Sequence, residues 1–201
     1  MQLMAFVGSP RRGSNVDSLI DKVIEGAKSK AAIDVEKIYL YEADIKNCLG
    51  CLACTAMKGG KDCPLHDDMA GILKRMLEAQ MFIFGSPNHV HSMSAALTNL
   101  FCRMQPFIKM EVIRDASGKI ISADSKTLIA GKKAVMVVSQ GDFSPSQSAL
   151  LLRAIDSNFK DFKLKKVAEV FSAGNLEKAQ VMSKEADLKL AFDAGAKLAA
   201  L

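Results

Sequence analysis

The sequence predicts an α/β fold of three layers, α/β/α, around a five-stranded parallel sheet. Three observations lead there. Short apolar runs alternate strictly with amphipathic stretches along the 201 residues. The run Met81, Phe82, Ile83, Phe84 is continuously apolar, as a strand covered on both faces requires. No repeat, low-complexity tract or linker divides the chain, so residues 1–201 read as one domain.

The elements follow in order. Strand 1 covers 2–7. Helix 1 covers 16–30, with Val16, Leu19, Ile20, Val23, Ile24 and Ala27 along one face. Strand 2 is 34–40. Helix 2 is 68–79, with Asp67 as its N-cap. Strand 3 is 81–84 and helix 3 is 94–109. Strand 4 is 134–139, helix 4 is 146–159, strand 5 is 167–172 and helix 5 is 176–201. Five β-α units with right-handed crossovers fit the flavodoxin-like order 2-1-3-4-5. Residues 110–126 break the rhythm and read as an excursion, a hairpin turning at Asp115–Gly118. In such a sheet, ligands lie beyond the carboxyl ends of the strands, at the switch point in strand order.

Composition excludes several classes. Apolar residues make up 49% and charged residues 24%, ordinary for a globular protein. The net charge of +5 is scattered, without the basic stripe that nucleic acid demands. The first strand begins at Gln2, so no signal peptide is expected. The longest uncharged stretch, 79–102, contains Gly85, Pro87, Asn88, two His and several Ser, so no membrane partner is expected. The expected compartment is cytoplasmic, with cysteines reduced.

After strand 1 comes Gly8-Ser-Pro-Arg-Arg-Gly-Ser-Asn15. Binding a phosphate takes convergent N–H groups, hydroxyls and positive charge at a helix N-terminus. This loop offers Ser9 and Ser14, either Arg11 or Arg12, and Asn15 as cap or amide donor. It lacks the Gly-Lys-Ser/Thr ending of a P-loop and the Gly-x-Gly-x-x-Gly of dinucleotide folds, so a single phosphate fits best. The alternative is a plain strand-to-helix turn.

This loop resembles the first loop of the NADPH-dependent FMN reductase and iron–sulfur flavoprotein family. The resemblance implies a flavodoxin-like fold and FMN bound non-covalently, with Ser9, Arg11, Ser14 and Asn15 at its phosphate. Val16 stands where the family usually has a hydroxyl. Gly85-Ser-Pro-Asn-His-Val-His-Ser-Met-Ser-Ala95 is similar to the second signature of the family, which implies flavin contacts from Pro87, Asn88, His89 and Val90. Leu97, Leu100 and Arg103 match its leucine-rich helix ending in Arg. Ser139 and Gly141 follow strand 4 as the remaining flavin candidates, and only Gly141 survives of the usual glycine-rich run. For His89 and His91, exposed loop histidine is the competing reading.

Cys48, Cys51, Cys54 and Cys63 fall within 16 residues. Thiolates at this spacing can converge on one cluster, with Pro64 after the fourth and Gly50, Gly59 and Gly60 for backbone freedom. Lys46, Lys58 and Lys61 can offset its charge. The pattern resembles the cysteine motif of iron–sulfur flavoproteins, which implies a [4Fe–4S] cluster. Zinc and plain or redox-active thiols are the alternatives. Asp67-Asp-Met69 also occurs in related reductases without a cluster. Cys102, amid Leu100, Phe101 and Met104, reads as core.

Three functions are in play. In the first, a ferredoxin-like donor passes electrons through the cluster to FMN and on to a small redox acceptor, in a homodimer or homotetramer. The second is an NAD(P)H-dependent FMN or quinone reductase with no cluster. The third is a passive flavodoxin-like carrier or a metal-stabilised binding module.

Overall fold

The computed structural model describes residues 1–55 and 62–200. Lys58, Gly59, Gly60, Lys61 and the last residue of the predicted fifth helix lie outside the described residues. The elements are β1 (Gln2–Val7), α1 (Asn15–Lys28), β2 (Asp34–Tyr39), α2 (Met69–Glu78), β3 (Met81–Pro87), α3 (Ala95–Arg103), β4 (Ile108–Arg114), β5 (Ile120–Thr127), β6 (Lys133–Ser139), α4 (Ala149–Asp161), β7 (Lys165–Ser172) and α5 (Glu185–Ala199). β2-β1-β3-β6-β7 form one parallel sheet, the order expected once the β4–β5 hairpin is set aside. Among the described residues no helix is long and apolar enough to cross a membrane.

The period-2 alternation of the strands builds a core on each face. Met4, Phe6, Phe82 and Phe84 point to the side covered by α2, α3 and α4. There Phe84 lies 5.2 Å from Phe6, 5.2 Å from Phe101 and 5.4 Å from Phe159, centroid to centroid. Leu3, Ala5, Val7, Met81 and Ile83 point to the other side, covered by α1 and α5. Those two helices touch backbone to backbone. A Cβ on Gly195 would stand 1.8 Å from the Val23 carbonyl oxygen, and one on Gly26 1.9 Å from that of Phe192.

Three predicted boundaries are corrected. α3 stops at Arg103 rather than continuing to 109, because Pro106 lacks the N–H a helix needs. Its continuation is a short 3₁₀ turn that feeds β4. α5 begins at Glu185, not 176, and the chain from 173 to 184 is a rim loop instead. Asp68, not Asp67, occupies the cap position of α2, although Asp67 Oδ1 does accept from the Met69 N–H at 3.0 Å. The excursion is the expected hairpin, its turn closed by Asp115 Oδ1 accepting from the N–H of Ser117 (2.9 Å) and of Lys119 (3.0 Å).

Gly195→Ala forces α1 and α5 apart and is expected to cost roughly 2 kcal/mol by overpacking. Urea unfolding against the parent checks this; a loss below experimental error contradicts it.

Candidate functional site

β1 ends at Val7, and the chain turns through Gly8–Ser14 onto the N-terminus of α1. Ser14 is the cap, its Oγ accepting from the Asp17 N–H at 3.3 Å. Ser9 Oγ accepts from the Arg11 N–H at 3.3 Å. Asp17 is buried, accepts from the Gly13 N–H at 2.7 Å and pairs with Lys37. Its negative charge at the helix N-terminus is therefore already compensated. The two arginines separate. Arg12 turns away, forking onto Glu42 at 2.6 and 2.5 Å with its guanidinium 4.1 Å above the Tyr39 ring. Arg11 remains at the mouth of the cavity.

Asn15 is spent on structure. Its Nδ2 donates to the Glu177 carbonyl at 2.7 Å, and its Oδ1 accepts from the Val181 N–H at 2.9 Å. It fastens the 173–184 loop over the start of α1 and is neither the cap nor a spare amide.

Behind this loop lies a cavity of about 110 Å³ at the carboxyl ends of β1, β3 and β6, where the strand order switches. Ser9, Arg11, Ser14, Asn15, Pro87, Asn88, His89, Ser139 and Gly141 all line it. Val90 stands outside, 90% exposed at the tip of a two-residue turn closed by His89 and Ser92. Val90 and His91 both have positive φ, 50° and 62°. That is costly for a β-branched residue. The turn is propped by His91 Nδ1, 3.0 Å from the Gln147 carbonyl oxygen.

Sequence reasoning passed over Gln140 and Asn175. Gln140 Nε2 donates to the carbonyls of Asp142 (2.9 Å) and Ser144 (2.7 Å), shaping the loop after β6. Asn175 Nδ2 donates to Ser139 Oγ at 2.9 Å and Ser172 Oγ at 2.7 Å, bridging β6 and β7. The available signal was position: Gly174-Asn175 follows a strand on the same rim. Asn88 Nδ2 donates to the Gln147 carbonyl and to Ser148 Oγ, both at 3.0 Å. Asn88 Oδ1 and Asn175 Oδ1 are buried and have no partner among the described residues. An unpaired buried acceptor is expensive. Two at one pocket suit a ligand rich in O–H and N–H donors.

A second site lies at the other end of α3. The four motif cysteines line one cavity of about 220 Å³ with Cys102, Arg103 and Pro106. Cys102 is a correction: it is exposed, not core. Leu97, Leu100, Phe101 and Met104 form the inward face of α3, which leaves Asn99, Cys102 and Arg103 toward the cysteine segment. Asn99 Oδ1 accepts from the Cys48 N–H at 3.1 Å, and its Nδ2 donates to the carbonyls of Ile45 and Lys46 at 3.2 Å. Arg103 Nη1 donates to the Lys46 carbonyl and to Asp67 Oδ2, each at 2.6 Å, and Nη2 to Asp67 Oδ1 at 3.0 Å. Both charged side chains are sealed from solvent, at 1% and 0% exposure.

Gly50 and Leu52 have φ of 61° and 59° between the cysteines. Left-handed residues at such spacing turn backbone N–H groups inward, as in anion nests and many iron–sulfur loops. Burial pushes the Cys54 thiol up, and the neighbouring Cys63, Cys48 and Cys51 push it further. Among the described residues, no three metal-ligating side chains are gathered closely enough to hold an ion by themselves.

Fold and rim pocket together define a flavodoxin-like α/β protein with a cavity at the β1/β3 switch point. The chain belongs to the NADPH-dependent FMN reductase family, whose profile matches residues 1–175. It is 36% identical over 106 residues to an iron–sulfur flavoprotein of Methanocaldococcus jannaschii, covering 53% of each chain. It is 35% identical over 103 residues to one of Archaeoglobus fulgidus, covering 51% of this chain and 48% of that one. The chain thus spans about half the length of these curated relatives. An FMN-dependent NADH-azoreductase of Bacillus anthracis, solved with FMN, shares the fold at a TM-score of 0.70, with 14% identity and 99% of each chain covered.

Burial pushes the Asp67 carboxyl up, but Arg103 and the N–H groups of Lys46 and Met69 outweigh it and hold it below the ordinary range. A depressed folded value means that the stabilisation is complete above about pH 4 and fades as pH falls through the folded value. Asp67→Ala, which strands Arg103, is expected to lose about 3–5 kcal/mol at pH 7. Its stability should also change less than the parent's between pH 5 and pH 2, both measured by urea unfolding; parallel pH curves contradict this assignment.

Proposed function

We propose that this chain is an FMN-dependent oxidoreductase of the iron–sulfur flavoprotein type, soluble in the cytoplasm. The observation that carries the FMN half is the convergence of nine sequence-selected residues on one rim cavity, two of whose lining residues, Asn88 and Asn175, have a buried, unpaired amide oxygen. Ser9, Ser14 and Arg11 would hold the phosphate at the start of α1. The unpaired oxygens of Asn88 and Asn175 would accept from hydroxyl or ring N–H groups deeper in. Pro87, His89, Ser139 and Gly141 would border the ring, with Val90 outside the cavity as a lid over it. When bound, FMN and a [4Fe–4S] cluster supply the electron chemistry between a ferredoxin-like donor and a small acceptor such as oxygen, peroxide or a quinone.

The cluster half rests on four cysteines around one cavity and on the left-handed backbone at Gly50 and Leu52. Cys48, Cys51, Cys54 and Cys63 are its ligands in this reading. α3 separates the two sites by about 13 Å along its axis, at ~1.5 Å per residue. Assembly as a homodimer or homotetramer would cover the exposed Val90 and Phe143 on the flavin rim and bring a cluster of one copy toward the pocket of another.

A second reading is an NAD(P)H-dependent FMN or quinone reductase without a cluster. The open arrangement of the thiols favours it. Hydride donors separate the two: anaerobic NADPH or NADH bleaches the flavin in the second reading, and only a reduced ferredoxin does so in the first.

Arg11→Ala removes one charge-assisted phosphate contact, worth about 1.5–3 kcal/mol, and should weaken FMN binding by about 10–100-fold. Riboflavin, which lacks the phosphate, should bind parent and variant alike. Titration by flavin fluorescence quenching checks this. Equal FMN affinities would remove Arg11 from the site.

A further inference from the structure

Arg103 lines the thiol cavity and is 2% exposed. Its two terminal nitrogens are committed to Asp67 and the Lys46 carbonyl. Cys63 lines the same cavity, and its thiol acts electrostatically on the guanidinium. The Arg103 Nε–H is buried and has no hydrogen-bond partner among the described residues. A buried N–H on a cation is among the costlier groups to leave unmet.

We propose that Arg103 is a positioning residue of the thiol-bound centre, with its pinned guanidinium presenting an N–H and a positive charge to the Cys63 sulfur and thereby raising the reduction potential of the centre. The inference rests on the cluster reading above. Reduction adds negative charge to a thiolate-ligated cluster, and hydrogen bonds to the sulfurs and nearby cations favour the more negative state. Asp67 has two effects. Its fork fixes where the guanidinium points, and its charge offsets part of the cation's field. Removing Arg103 and neutralising Asp67 therefore act on the potential with opposite sign. A purely structural ion pair would not do this, since breaking either partner disturbs the same joint.

The test uses anaerobically reconstituted full-length protein. Parent, Arg103→Met, Arg103→Lys and Asp67→Asn are compared for iron and sulfide content, bound FMN and the midpoint potential of the centre, titrated with dyes and followed by electron paramagnetic resonance. Bound FMN and far-ultraviolet circular dichroism report whether each variant is folded. The expected result is a lower potential in Arg103→Met, a smaller drop in Arg103→Lys, which keeps the charge without the fork, and a rise in Asp67→Asn. If Arg103→Met does not fold, Arg103→Lys and Asp67→Asn still carry the opposite signs. Iron lost from Arg103→Met but kept by Arg103→Lys, with FMN bound in both, also supports the assignment. Unmoved potentials, or shifts of one sign in Asp67→Asn and the arginine variants, overturn it. A parent protein that binds FMN and no iron overturns the cluster reading itself and this inference with it.

Discussion

The ion pair between Arg103 and Asp67, closed off from water, is the joint on which half of the rim depends. Between β2 and α2 the chain runs through a long segment whose described residues form no helix or strand. Such a segment needs fixed points if it is to present four cysteines to one cavity. Arg103 and Asn99, one turn apart on α3, supply them by taking the carbonyls of Ile45 and Lys46, the N–H of Cys48 and the carboxylate of Asp67. α3 is in turn held by Leu97, Leu100 and Phe101 in the aromatic core. Core packing is thus transmitted to the cysteine segment through one helix face.

The other half of the rim is fastened differently. Around the β1/β3 switch the loops are tied by neutral amides: Asn15 to the 173–184 loop, Asn88 to the start of α4, Asn175 across β6 and β7. Each uses its N–H₂ within the protein, and two, Asn88 and Asn175, leave a buried oxygen without a partner among the described residues. The charges near the phosphate loop are largely paired, Arg12 with Glu42 and Lys37 with Asp17 and Asp21. Arg11 is the arginine of the loop that lines the cavity. One fold thereby carries a polar, donor-seeking pocket at the start of α3 and a thiol cavity at its end.

Much of this was legible in the sequence. Apolar periodicity located every strand of the parallel sheet, most plainly β1, β3 and β6, which are buried nearly throughout. Nine of the ten rim candidates converge, because loops after parallel strands must share one edge. What stayed hidden depended on tertiary partners. Which arginine faces the cavity is decided by Glu42, 30 residues away. Whether Asn15 serves ligand or scaffold is decided by Glu177 and Val181, more than 160 residues away. Cys102 looked like core because its neighbours in sequence are core. Its place one turn after Asn99 sets it on the outward face, and only the docking of the cysteine segment on that face made this visible. Pro106 was a readable helix stop that the apolar pattern through residue 109 overrode.

The central claim is that one chain holds both a flavin and a thiol-bound cluster. The most direct measurement is the visible spectrum of anaerobically purified protein, with iron and sulfide assayed on the same sample. The account predicts flavin bands, a broad shoulder near ~400 nm and about four iron per chain. A protein with no flavin bands even after incubation with FMN, or one with flavin bands and no iron, would contradict it.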